Sequence, residues 1–185
     1  MDQPPRAFAR DVVSFALIAL IIVMPIRWFI AQPFIVRGAS MEPTFQNGEY
    51  LIVDQLSYRF HEPERGDVVI LKYPRDESVY FIKRIIGLPG ETIELQGTKV
   101  IIRRGADIDA LTLDQGYVLD SENRPEYATY ILGPDEYFVM GDNRNESSDS
   151  RVWGPLPKRD LVGRALLRLF PPNTISLFPG HPTTP

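Results

Sequence analysis

The chain of 185 residues contains no cysteine. This excludes disulfides, zinc held by thiolates and a thiol nucleophile. Histidine is scarce: His61 and His181 are the only two, so the usual general base near neutral pH has few candidates. Basic runs are missing and the formal net charge is −4, which argues against nucleic acid as a partner. No internal repeat and no low-complexity tract occurs. Proline, by contrast, is plentiful, and much of it falls between short β-type runs. That pattern predicts a loop-rich β protein with one core and at most a small extra lobe.

Residues 12–31 form one long apolar stretch, interrupted only by Ser14, Pro25 and Arg27. Twenty helical residues span about 30 Å, the thickness of a bilayer core. The stretch reads as a single membrane anchor, with Arg27 snorkelling to the interface beside Trp28. A cleaved signal peptide looks similar, but no clean small-x-small site follows. A buried core helix or an in-plane helix are the other readings, the last disfavoured because apolar residues surround the axis. Arginines balance on the two sides, Arg6 and Arg10 against Arg27 and Arg37. Segment length favours a short inner tail (1–11) and the remaining chain outside.

Beyond the anchor, residues 32–48 read as extended or looped. Strands are expected at 50–54, 67–73, 79–86, 129–132 and 136–140. A hairpin pairs 91–95 with 99–103 through Gln96-Gly97-Thr98. Residues 161–170 fit a strand or a helix equally well. The outcome is a mainly antiparallel β domain over 32–170, with a small insert or lobe and a short helix near 104–130, then a loosely held proline-rich tail at 171–185.

Three segments carry candidate chemistry. Arg37-Gly-Ala-Ser-Met-Glu-Pro-Thr44 puts Ser40 on a turn whose small neighbours leave room for a substrate backbone. Turn N–H groups of this kind can converge on an oxyanion. In the run 79–86, period-2 alternation sets Lys83 on one face with Phe81 and Ile85, while Arg84 points away. A lysine desolvated in this way can lose its proton near neutral pH and activate a serine. The third segment, 141–151, lacks any apolar residue; its polar groups could position a lysine, or form a calcium-like acidic loop. Taken singly, Ser40 could be a surface-loop serine and Lys83 an edge-strand lysine that discourages aggregation.

Together, and in order, Ser40-Met-Glu-Pro-Thr44, Gly66-Asp-Val-Val69, Lys83-Arg-Ile-Ile-Gly-Leu-Pro-Gly-Glu91 and Gly141-Asp-Asn-Arg144 with Ser147, Ser148, Asp149, Ser150 and Arg151 resemble the type I signal peptidases. These are serine/lysine endopeptidases, family S26, with a β fold related to that of LexA-like autoproteases. The resemblance runs from the anchor to about Arg168. It implies a plasma-membrane protein with its catalytic domain on the outer face, acting on signal-peptide-bearing preproteins. The lipid bilayer and the export translocon are the implied further partners, and no cofactor or metal is implied. Ser40 is the implied nucleophile and Lys83 the general base, with Ser147 orienting the lysine by a hydrogen bond. Arg84, Asp149 and Arg151 resemble the family's structural ion-pair group. Matching positions nominate Phe34, Val36, Met41, Phe45, Phe81 and Ile82 as walls of shallow pockets that admit small side chains.

One position departs from the pattern. Some members carry a serine two residues before the nucleophile, whose hydroxyl holds the oxyanion; here that place is Gly38. If the backbone there tolerates a Cβ, Gly38→Ser is expected to maintain or raise turnover. Two rival readings share much of the sequence. A LexA-like Ser/Lys autoprotease would carry a DNA-binding or self-cleaved segment where this chain has its apolar stretch. An inactive, membrane-anchored binding homologue would have no need to keep Ser40, Lys83 and Ser147 together. A penicillin-binding or β-lactamase reading needs Ser-x-x-Lys, which Ser40-Met-Glu-Pro43 does not supply.

Overall fold

The computed structural model describes residues 5–25, 31–104, 110–118 and 126–181. Among the described residues, twelve strands form two sheets, and every pairing is antiparallel. The larger sheet runs β1 (Ala31–Ile35), β2 (Tyr50–Asp54), β11 (Leu161–Phe170), β3 (Val68–Tyr73), β4 (Asp76–Gly87), β9 (Glu136–Met140) and β10 (Leu156–Pro157), with β12 (Ser176–Leu177) added to β11. The smaller sheet runs β7 (Leu111–Thr112), β6 (Lys99–Arg104), β5 (Glu91–Gly97) and β8 (Glu126–Ile131). The ambiguous segment 161–170 is thus a strand. It has neighbours on both sides, β2 and β3, that a lone helix would leave unpaired.

Three apolar clusters fill the interior. Val36, Met41, Phe45, Leu51, Val53, Val68, Ile70, Ile82 and Ala165 pack under the Ser40 turn. Val69, Leu71, Ile85, Tyr137, Val139 and Leu156 pack with Phe81 at the centre of the large sheet. Ile86, Ile93, Leu95, Val100, Ile102, Leu132, Phe138 and Met140 join the two sheets. Gly87 sits at that junction, where a Cβ would meet the Ile93 side chain at 2.6 Å. The turn after β4 is fixed by buried Glu91, which accepts from Arg65 at 2.7 Å and from the Leu88 N–H at 2.8 Å.

Several segment expectations need revision. The N-terminal helix α1 spans Pro5–Pro25, so it takes in residues 5–11 of the expected tail. Residues 26–30 of the expected anchor lie outside the described residues, and Ala31 belongs to β1. Among the described residues, no helix is long and apolar enough to cross a membrane. The expected insert at 104–130 is continuous with the small sheet: β7 and β8 pair with β6 and β5. Residues 110–118 carry no helix, and 105–109 and 119–125 lie outside the described residues. The tail is not loose up to residue 181, because β12 pairs with β11 and the Phe178 N–H donates to Leu166 O at 2.8 Å. A proline-rich composition limits helix but does not prevent edge pairing.

Candidate active site

Ser40 occupies the turn that follows β1. The Phe45 N–H donates to Met41 O at 2.9 Å, a single helical turn that brings residues 41 and 45 to the same inner side. Met41 and Phe45 are therefore fully buried in the cluster below, not on the pocket wall where the sequence placed them. Their burial anchors the turn and leaves Ser40 half-buried above it.

Lys83 projects from β4, where it is paired with Val69 of β3, and is only 3% exposed. Its Nζ lies 2.8 Å from Ser40 Oγ and donates to Ile82 O at 2.8 Å. Phe81, on the same face as the alternation requires, has its ring centroid 5.2 Å from the amine. Burial pushes the Lys83 pKa down to about 8, against the upward pull of the Asp149 and Asp142 carboxylates; Arg151 adds to the downward push. A half-neutral amine beside a serine hydroxyl can take that hydroxyl's proton at mildly alkaline pH.

Behind the pair lie two separate ion pairs, where the sequence had grouped Arg84, Asp149 and Arg151 as one. Arg84, facing away from Lys83, holds Asp142 through Nε at 2.8 Å and Nη2 at 2.6 Å. Asp149 instead takes the Arg151 guanidinium at 2.8 and 2.9 Å. Arg151 also donates to Glu126 at 3.1 Å and to Arg144 O at 2.6 Å. Alternation along β4 explains the split, since Arg84 emerges toward the start of the 141–151 loop and not toward its end. Asp142 is the residue the sequence reading passed over. Its signal was the aspartate that directly follows Gly141, at the end of an apolar strand. The Asp142 carboxylate also accepts from Thr44 Oγ1 at 2.5 Å, and the Asn143 N–H donates to Ser40 O at 3.1 Å. Two bonds thus tie the loop to the serine turn.

Ser147 does not hydrogen-bond Lys83. Its Oγ is buried and has no hydrogen-bond partner among the described residues. Its side chain packs against Gly141 on the side of the Ser40 carbonyl: a Cβ at 141 would collide with Ser147 and with Ser40 O. The amine meanwhile is engaged by Ser40 and Ile82.

Gly38 adopts φ +87°, and its N–H donates to Asn47 Oδ1 at 3.0 Å. A Cβ there would meet open space, but the left-handed conformation disfavours any L side chain. The condition behind the Gly38→Ser expectation therefore fails. The Ser40 backbone N–H, by contrast, enters no hydrogen bond among the described residues.

A cavity of about 310 Å³ opens beside Ser40 and Lys83. Phe34, Val36, Phe81 and Ile82 line it as the sequence indicated; Ile35, Arg37, Leu51, Ile70 and Tyr80 also line it. Its walls come from β1 to β4 and the residues after β1, with β1 and β4 supplying most of the strand residues. Among the described residues, β1 pairs only with β2, and β4 pairs with β9 only through residues 84–87, so its part before Arg84 has β3 on one side and an open edge on the other.

A desolvated lysine amine in contact with a serine hydroxyl, beside a largely apolar cavity on a mainly antiparallel β domain, is an arrangement that can support hydrolysis. The chain belongs to the signal peptidase family, peptidase S26, whose model matches residues 9–170. It is 38% identical over 176 residues to a probable signal peptidase I-1 of Synechocystis sp., covering 90% of this chain and 85% of that one. It is 37% identical over 171 residues to signal peptidase I P of Bacillus subtilis subsp. natto, covering 89% and 91%. A solved signal peptidase I from Enterococcus faecalis V583 is similar with TM-score 0.47 and 29% identity, covering 56% of this chain and 97% of that one. Family membership makes the chain a serine endopeptidase.

Proposed function

We propose that this protein removes N-terminal signal peptides from exported preproteins, with Ser40 as nucleophile and Lys83 as general base. The observation that carries the assignment is the 2.8 Å approach of a buried lysine amine to the Ser40 hydroxyl. Neutral Lys83 takes the Ser40 proton as Oγ attacks the scissile carbonyl, and the resulting ammonium gives it to the leaving amine. Water, deprotonated by the same amine, then hydrolyses the ester. The Ser40 N–H is the donor free to meet the oxyanion. An extended substrate adds to the open edges of β1 and β4. The family resemblance implies small side chains at the first and third positions before the cut, and the largely apolar cavity beside Ser40 is where they would seat. Asp142 and Thr44 hold the serine turn, and Ser147 packs behind it.

Membrane attachment belongs to the same reading. In α1 the large apolar side chains Val12, Val13, Phe15, Leu17, Ile18, Leu20 and Ile21 are all more than half exposed. So many exposed large apolar side chains on one helix call for lipid or another apolar cover. We assign the apolar stretch that begins at Val12 in α1 as a single-pass anchor, with the β domain on the outer face, the bilayer as partner and the export translocon as source of substrate.

The test is processing of a preprotein with an Ala-x-Ala site in detergent or lipid. Ser40→Ala and Lys83→Ala are each expected to abolish cleavage while circular dichroism stays native, because nucleophile and base act as a unit. Substantial processing by either folded variant overturns the assignment.

A further inference from the structure

The segment after β11 folds back across the large sheet. β12 pairs Ser176 and Leu177 with Arg168 and Leu167. Phe178 follows with φ +45° and lies under the Arg164 guanidinium, 4.5 Å from its ring centroid. Pro179 is buried. Gly180 then reaches the back of the serine turn. Its carbonyl accepts from Arg84 Nη1, which also donates to Gly66 O at 2.9 Å. Its α-carbon is wedged so closely that a Cβ would stand 2.7 Å from Thr44 Cγ2 and 3.1 Å from both Phe45 Cε2 and Val68 Cγ2. The fit requires a glycine on two counts, the contact and φ +79°.

These contacts converge on Thr44. Its hydroxyl is held by Asp142, Asp142 is held by Arg84, and Arg84 is capped by the Gly180 carbonyl, while the space a Cβ at Gly180 would need is filled by the Thr44 methyl. Thr44 closes the turn that begins at Ser40. We infer that the C-terminal strap, residues 176–181, is a positioning element of the reaction: Gly180 sets the place of Thr44 and so the alignment of Ser40 with Lys83. The inference rests on the Ser40 and Lys83 roles proposed above. The cavity walls belong to β1–β4 and the residues after β1, and the strap contributes none of them. Moving the strap is therefore expected to change kcat and to leave KM alone.

Gly180→Ala places its methyl against Thr44 Cγ2. In the full-length enzyme on a preprotein substrate, kcat is expected to fall about tenfold or more, with KM within about twofold. Thr44→Ser keeps the hydroxyl for Asp142 and removes the methyl. In that background, Gly180→Ala is expected to cost less than about threefold in kcat, whatever the activity of Thr44→Ser itself. Backbone strain at residue 180 is common to both backgrounds, so the difference isolates the contact. An equal loss in the two backgrounds, or a change confined to KM, overturns the inference. Should Gly180→Ala fail to fold alone, Phe178→Ala loosens the strap without adding an atom. It is expected to lower kcat at constant KM, and full kcat in that variant overturns the inference. Cleavage by Ser40→Ala would instead defeat the proposed nucleophile. Full kcat in Gly180→Ala, with Ser40→Ala inactive, would defeat the strap alone.

Discussion

The central residue is a lysine kept out of water. Below its folded pKa of about 8 the native state holds a buried ammonium, whereas the unfolded chain titrates near 10.4. Between those values the unfolded state binds more protons, so stability rises with pH across that window. Below it the destabilisation is fully present, on the order of 3 kcal/mol for a shift of this size. Lys83→Met is therefore expected to be inactive yet more stable than wild type at pH 7 by urea unfolding. That gap should shrink as the pH rises from about 8 to about 10. A Met variant less stable at both ends would mean that the amine's hydrogen bonds outweigh its desolvation. Activity takes the same sign: kcat/KM should climb with pH through an apparent pKa near 8, and an acid-side optimum would contradict the lysine base. At Gly38 the expected direction is now opposite to that drawn from the sequence. With φ +87°, Gly38→Ser forces a side chain into the left-handed region. Lower turnover and a lower Tm are the expected results, and turnover at or above wild type would show that the added hydroxyl outweighs the strain.

At the scale of elements, the strands and the meeting of Ser40 with Lys83 were legible because each had a local signal. The run of apolar and β-branched residues in β3 and β4, the Gln96-Gly97-Thr98 turn and the alternation around Lys83 all survive folding nearly unchanged. What was hidden depended on partners distant in sequence. Met41 and Phe45 look like pocket residues until a single helical turn points them inward. Arg84 looks like a partner for Asp149 until the approach of β9 delivers Asp142 first. The strap at 176–181 has no periodicity to betray it, since two paired residues and a few backbone hydrogen bonds hold it. Helix α1 poses the converse case, plain in sequence but without packing. Its described side chains are almost all exposed and join none of the three core clusters. A chain beginning at residue 31 is thus expected to melt within a few degrees of the full protein in detergent and to cleave a soluble peptide. It should lose much of its advantage on a preprotein in vesicles. A collapse of Tm would show that α1 is part of the domain's core.

For the whole molecule, the arrangement of strands decides how the site is built. β11, late in the chain, lies between β2 and β3, so the sheet beneath Ser40 is incomplete until residue 170 has joined it. The contacts that shape the site are longer still. Ser40 meets Lys83 across 43 positions, Thr44 meets Asp142 across 98 and Arg84 meets Gly180 across 96. Loop closure over such distances must be achieved before the contacts repay it, which makes folding slow and places these contacts late. In refolding from urea, strand signal in the far ultraviolet is expected to return before cleavage activity, with activity confined to the slowest phase. Activity in the earliest phase would show that the site forms locally. The same ties carry a safeguard in biosynthesis. A chain still emerging from the ribosome has its serine and its lysine long before it has Asp142 or Gly180, so on the proposed roles the newborn polypeptide is expected to carry both groups before it can cleave anything.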